Sequence, residues 1–144
     1  MLAICCSSAA RRYPLTLLLA LLIAVCSLIP LSLPEPITDV PFYDKWGHFL
    51  MYGTLSLVAW FEYAHSHRRP GRVLPQSLPA HSWLMLLFVS LVLPCLWGGL
   101  MELLQATCTT NRSGEWMDFW ADCVGSVLGV LVAAVAGLAV RRRS

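Results

Sequence analysis

Asp44, Lys45 and His48 form one short constellation, Glu102 and Gln105 a second, Asp118 and Asp122 a third. Asp44 and His48 are four residues apart, as are Asp118 and Asp122, and Glu102 and Gln105 are three apart. On a helix each pair therefore shares one face. Arg112 lies in the segment between the second and third groups. The residue types suit proton transfer: His48 as general acid or base oriented by Asp44, Glu102 or Asp118 assisting, with Lys45 and Arg112 facing a phosphate or carboxylate. Asp44, Glu102, Asp118 and Asp122 against Lys45 and Arg112 leave two uncompensated negative charges with His48 neutral. Crowded carboxylates answer this by keeping a proton, or a cation enters. No organic cofactor is expected, but His48 with Glu102, Asp118 and Asp122 is a nitrogen and oxygen donor set that would suit a divalent cation. The competing account of the same charges is ion pairing that only locks helices together.

The elements that must carry these residues are apolar. Of 144 residues 58% are hydrophobic and 12% charged, about half the charge of an ordinary soluble domain, so the expected solvent is lipid. Four stretches, approximately 13–33, 46–64, 83–105 and 119–140, have the length for crossing hydrocarbon, which takes about 20 residues per helix. Runs this long without alternation are helices and not barrel strands. The expectation is an all-α, polytopic four-transmembrane-helix bundle, a single domain over 1–144. The N-terminal apolar run is too long for a signal peptide and lacks a small-x-small cleavage site before Pro34, so the chain is read as mature. Arg11 and Arg12, then Arg68, Arg69 and Arg72, then Arg141, Arg142 and Arg143 place eight of ten basic residues on one side. By the positive-inside rule that side and both termini are cytoplasmic. The net charge of +2, with its arginines explained by topology, argues against a nucleic-acid partner.

In this topology all three constellations meet at the outer rim, with Glu102 and Asp122 about one turn, roughly 5 Å, inside their helix ends. No carboxylate or amine falls mid-span, which disfavours ion or proton conduction. Gly125 and Gly129 continue the Asp118 and Asp122 face as a small-xxx-small stripe suited to helix packing or to a homo-oligomer, and Gly98 and Gly99 lie one turn before Glu102. Pro94 is expected to kink the third span and free the Ser90 carbonyl. Trp46, Trp83 and Trp116 read as interfacial anchors, and Glu62 as the partner of Arg68 or Arg69. Cys5 and Cys6 precede the first span. Cys108 and Cys123 could approach each other on the outer side, and Asn111-Arg112-Ser113 is a sequon only in a secretory setting.

Taken in order, Asp44-Lys45-Trp46-Gly47-His48-Phe49 with Tyr52, then Gly98, Glu102 and Gln105, then Arg112-Ser113-Gly114 with Asp118, Asp122, Gly125 and Gly129, the chain resembles the VanZ-like family of small membrane proteins. The likeness covers three of the four spans. It implies a four-helix protein of the bacterial inner membrane, whose named representative is associated with resistance to the glycopeptide teicoplanin, and it carries over no established reaction. The matched polar positions are Lys45, His48, Glu102, Gln105, Arg112 and Asp118; where the family usually has asparagine, this chain has Asp122. The functional expectation is a cell-envelope protein that binds or modifies a lipid-linked or cell-wall ligand at the outer leaflet. A structural or partner-binding bundle is the alternative.

Overall fold

The computed structural model describes residues 10–29, 41–67, 80–108 and 114–141. Arg112 and its sequon lie outside them, as do Arg68, Arg69, Arg72, Arg142, Arg143, Cys5, Cys6, Glu35 and Asp39. Every regular element among the described residues is a helix. Helix α1 runs Pro14–Leu28, α2 Tyr43–Ser66, α3 Ala80–Leu87, α4 Leu93–Cys108 and α5 Trp116–Arg141. A π-helical turn, Phe88–Val92, joins α3 to α4, making one rod over His81–Cys108.

Two helices, His81–Cys108 and Trp116–Ala139, are long and apolar enough to cross a membrane. Helix α1 is apolar but has 15 residues, and α2 has 24 but includes Asp44, Lys45, His48 and Glu62. The start and end of α1 follow from proline. Pro14 occupies the first turn, where its missing N–H removes no bond, and Ile29 turns to extended backbone, as expected of a residue that precedes proline in the sequence. Instead of a simple kink at Pro94, the helical ladder widens just ahead of it, with Leu93 N–H donating to the Phe88 carbonyl. A widened turn accommodates a ring nitrogen that has no proton to donate. Ser90, fully buried there, donates its hydroxyl to the Leu86 carbonyl at 2.6 Å.

The helix order alternates in direction. The start of α1 meets the end of α2 through Glu62, whose Oε1 accepts the Leu15 N–H at 2.9 Å. Its Oε2 accepts the Thr16 N–H at 2.9 Å and the Thr16 hydroxyl at 2.7 Å. Arg68 and Arg69, the expected partners of Glu62, lie outside the described residues; the described contacts of Glu62 form a helix cap, in which a carboxylate satisfies N–H groups that the first turn leaves without partners, at the positive end of the helix dipole. Glu62→Ala is expected to lower stability by about 1 kcal/mol, read as a lower thermal midpoint in detergent. An unchanged midpoint would mean the cap contributes nothing.

Helices α2 and α5 run parallel and touch backbone to backbone. A Cβ on Gly125 would collide with the Phe49 carbonyl, and one on Gly129 with the Gly53 carbonyl, so the stripe read from the sequence is where the two helices close. Towards the end of α2 the bundle is filled by Trp60, Tyr63, Leu86, Val130 and Ala133, against which Trp83 packs. Trp83 is partly buried, its ring 6.1 Å from Trp60, while Trp46 and Trp116 are exposed. A second cluster joins Ile23 of α1 to Tyr52 and Leu55 of α2, with Trp97 packed on it. Cys108 and Cys123 are not bridged; Cys123 lies beside Cys95 on α4.

Candidate functional site

The parallel pairing of α2 and α5 puts their two N-terminal turns side by side, and α4 brings its C-terminal half against both. His48, Glu102, Gln105, Asp118 and Asp122 are all buried at this end, Asp122 completely. Helix α2 begins at Tyr43, α5 at Trp116, and α4 runs to Cys108. Glu102 and Asp122 thus sit six residues from their helix ends, about 9 Å along the axis.

Three of the seven side chains work as ties. Lys45 Nζ donates to Asp118 Oδ1 at 2.8 Å and to Glu115 Oε2 at 3.0 Å. The Asp118 hydrogen bond, with Glu115 beside it, holds the Lys45 ammonium above the ordinary lysine range. The pair joins the starts of α2 and α5. Gln105 donates to the Ser27 carbonyl at 3.0 Å, so its amide closes an open carbonyl at the end of α1. No local pattern ties Glu115 to Lys45; its role depends on a contact seventy residues away.

The other group is a centre. His48 Nδ1 lies 3.0 Å from Asp122 Oδ1 and 3.9 Å from Glu102 Oε1. Glu102 is held from its far side, where Oε2 accepts the Glu115 N–H at 2.9 Å. The chain passes close enough for this because Gly114 has no Cβ to meet the Glu102 carbonyl. Gly98 leaves the space that the Asp122 carboxylate occupies, a site role beyond the helix packing expected of it. Glu102 Oε1, Asp122 Oδ2 and the Tyr52 hydroxyl have no hydrogen-bond partner among the described residues although each is buried. Tyr52, Ser56 and Ser126 extend the centre inward. Their signal was in the sequence: Tyr52 and Ser56 follow His48 at steps of four, and Ser126 follows Asp122 at the same step.

Two groups of three residues place one donor atom each within 4.8 Å of the others, close enough to hold a metal ion: Asp44, His48 and Asp118, and His48, Glu102 and Asp122. Beside Glu102 a cleft of about 370 Å³ opens between α4 and α5, lined by Gly99, Leu103, Trp116 and Phe119. The arrangement is thus a carboxylate and histidine centre at one end of a helical bundle, with an apolar cleft reaching one of its carboxylates. Comparison with protein-family models, curated proteins and solved structures finds no match to this chain.

Proposed function

We propose that this is a VanZ-like protein of the bacterial inner membrane, crossing it four times with both termini in the cytoplasm. In this reading the centre opens at the periplasmic rim and binds or modifies a lipid-linked or cell-wall ligand, an activity that bears on the cell envelope and on tolerance of teicoplanin-type glycopeptides. The observation that carries the reading is an inverted burial pattern. Asp122, Asp118, His48 and Gln105 are inside, while Leu18, Leu21, Leu84, Leu96, Leu103 and Val135, spread over α1, α3, α4 and α5, face outward. Water would penalise such a surface on every side, whereas hydrocarbon would not. The alternating helix directions support four crossings. The cleft suits the apolar part of an amphiphilic ligand, leaving its polar part beside Glu102.

A second reading, a bundle whose charges only lock helix packing, is favoured by Lys45, Asp118 and Gln105, each already engaged across a helix interface. It does not account for the two carboxylate oxygens without hydrogen-bond partners among the described residues, since a buried acceptor that merely pairs helices is normally satisfied. The division is therefore by residue. His48→Ala, Glu102→Ala and Arg112→Ala are each expected to abolish glycopeptide tolerance in cells while the protein accumulates at the wild-type level, as measured by growth and immunoblot. Tolerance retained in all three would end the ligand-site reading.

A further inference from the structure

From the His48, Glu102 and Asp122 side chains we infer a binding site for one divalent transition-metal cation, zinc or manganese in class, deep in the end of the bundle where α2, α4 and α5 meet. The inference rests on the reading of this cluster as a ligand site and names what the ligand would meet there.

Geometry comes first. A tetrahedral ion with nitrogen and oxygen ligands at about 2.0–2.1 Å has ligand atoms separated by about 3.3 Å. The His48 Nδ1 to Asp122 Oδ1 and His48 Nδ1 to Glu102 Oε1 distances, 3.0 and 3.9 Å, bracket that value, so small side-chain adjustments would complete three sites of the coordination shell. Charge points the same way. Two carboxylates and a neutral imidazole carry two negative charges, which a divalent cation offsets in full and a monovalent one by half. The nearby ammonium, Lys45, already serves Asp118 and Glu115.

Two further features separate this cluster from an ordinary patch of acids. Glu102 Oε1 and Asp122 Oδ2 are buried carboxylate oxygens without hydrogen-bond partners, beside a Tyr52 hydroxyl in the same condition. Each carries a desolvation penalty that no hydrogen bond from a described residue offsets. The remaining Glu102 oxygen is held by the Glu115 N–H, an outer contact of the kind that orients metal-bound carboxylates. The donor set of one imidazole and two carboxylates suits a borderline ion, and three protein ligands leave a coordination position for an incoming oxygen. A phosphate or carboxylate seated in the cleft would lie beside Glu102, one of the three ligands. Of the two possible triads the structure favours this one, because Asp118 in the other is engaged by Lys45.

The test uses the full-length protein purified in detergent, stripped with chelator and exchanged into zinc chloride or manganese chloride, with bound metal measured by inductively coupled plasma mass spectrometry. One ion per chain is expected in the wild type, together with a metal-dependent rise in thermal midpoint. Asp122→Asn, nearly isosteric, and Glu102→Gln should each weaken binding by more than the roughly 10- to 100-fold that follows loss of a partner one step removed from a metal. Asp44→Asn, which alters the competing triad, should keep the ion. Background metal in the folded wild type with both salts would overturn the inference, as would loss of the ion in Asp44→Asn with retention in Asp122→Asn. The wild-type result stands whether or not a variant folds. Metal-free protein whose His48 and Glu102 variants still lose envelope function would sink the metal site alone, and bound metal in a protein whose variants keep that function would sink the envelope reading alone.

Discussion

Alanine at Gly129 is expected to destabilise the protein by about 1–3 kcal/mol, and alanine at both Gly125 and Gly129 by more than either alone. The added carbon at Gly129 meets the backbone carbonyl of Gly53, and the one at Gly125 meets that of Phe49. Neither obstacle is the end of a flexible side chain, so the helices must separate. Separation also draws Asp122 away from His48, because the same helix pair carries both. The effect should be graded by position. At Gly53 a Cβ would stand 3.1 Å from the Gly125 carbonyl, a tighter contact than usual but a smaller displacement, and alanine there should cost less. At Gly137 nothing lies within 4 Å, and alanine should add up to about 1 kcal/mol through helix propensity alone. Thermal unfolding of the four single variants in one detergent gives the comparison. If Gly129→Ala and Gly137→Ala move the midpoint equally, the backbone contact between α2 and α5 is not what holds the bundle.

That contact explains why some of the molecule was readable in advance. The three-and-four spacing of the polar residues and the Gly125 and Gly129 stripe are local properties of a helix, visible wherever the chain is helical, and the expectation that their faces converge follows once the helix directions alternate. What was hidden depends on register between distant segments. Glu62 looks like a partner for the arginines six and seven residues on, and nothing local shows that its carboxylate accepts hydrogen bonds from the N–H groups at the start of α1. Glu115 and Ser27 have no pattern in the sequence that ties them to Lys45 and Gln105. Cys123 was read with Cys108 because they lie in one outer region, but rotation about the α5 axis turns it towards Cys95 on α4. Helix length is hidden for a related reason: apolar stretches mark where lipid is tolerated, whereas α2, α4 and α5 extend three residues past those limits at the end that carries the centre.

The division between ties and centre is open to direct measurement through charge exchange. Lys45→Ala leaves the Asp118 carboxylate, 4% exposed as a side chain, without its cation. Breaking a buried pair in this way costs about 3–5 kcal/mol; solvent reaches the Lys45 amine, so the expected loss is nearer 1–3 kcal/mol. Reversing the pair as Lys45→Asp with Asp118→Lys should recover at least half of that loss if the two charges act only on each other. Glu115 must be neutralised first by Glu115→Gln, because its carboxylate sits on the same amine and would repel an aspartate there. In that background the double-mutant coupling between positions 45 and 118 should exceed about 1 kcal/mol, with protein accumulation and glycopeptide tolerance returning together. The corresponding exchange, His48→Asp with Asp122→His, keeps the composition of the centre but moves the imidazole from α2 to α5, away from the position set by Glu102. It should restore accumulation without tolerance. Stable protein that stays inactive after the 45 and 118 exchange would place Lys45 in contact with the ligand and move it from the ties into the centre.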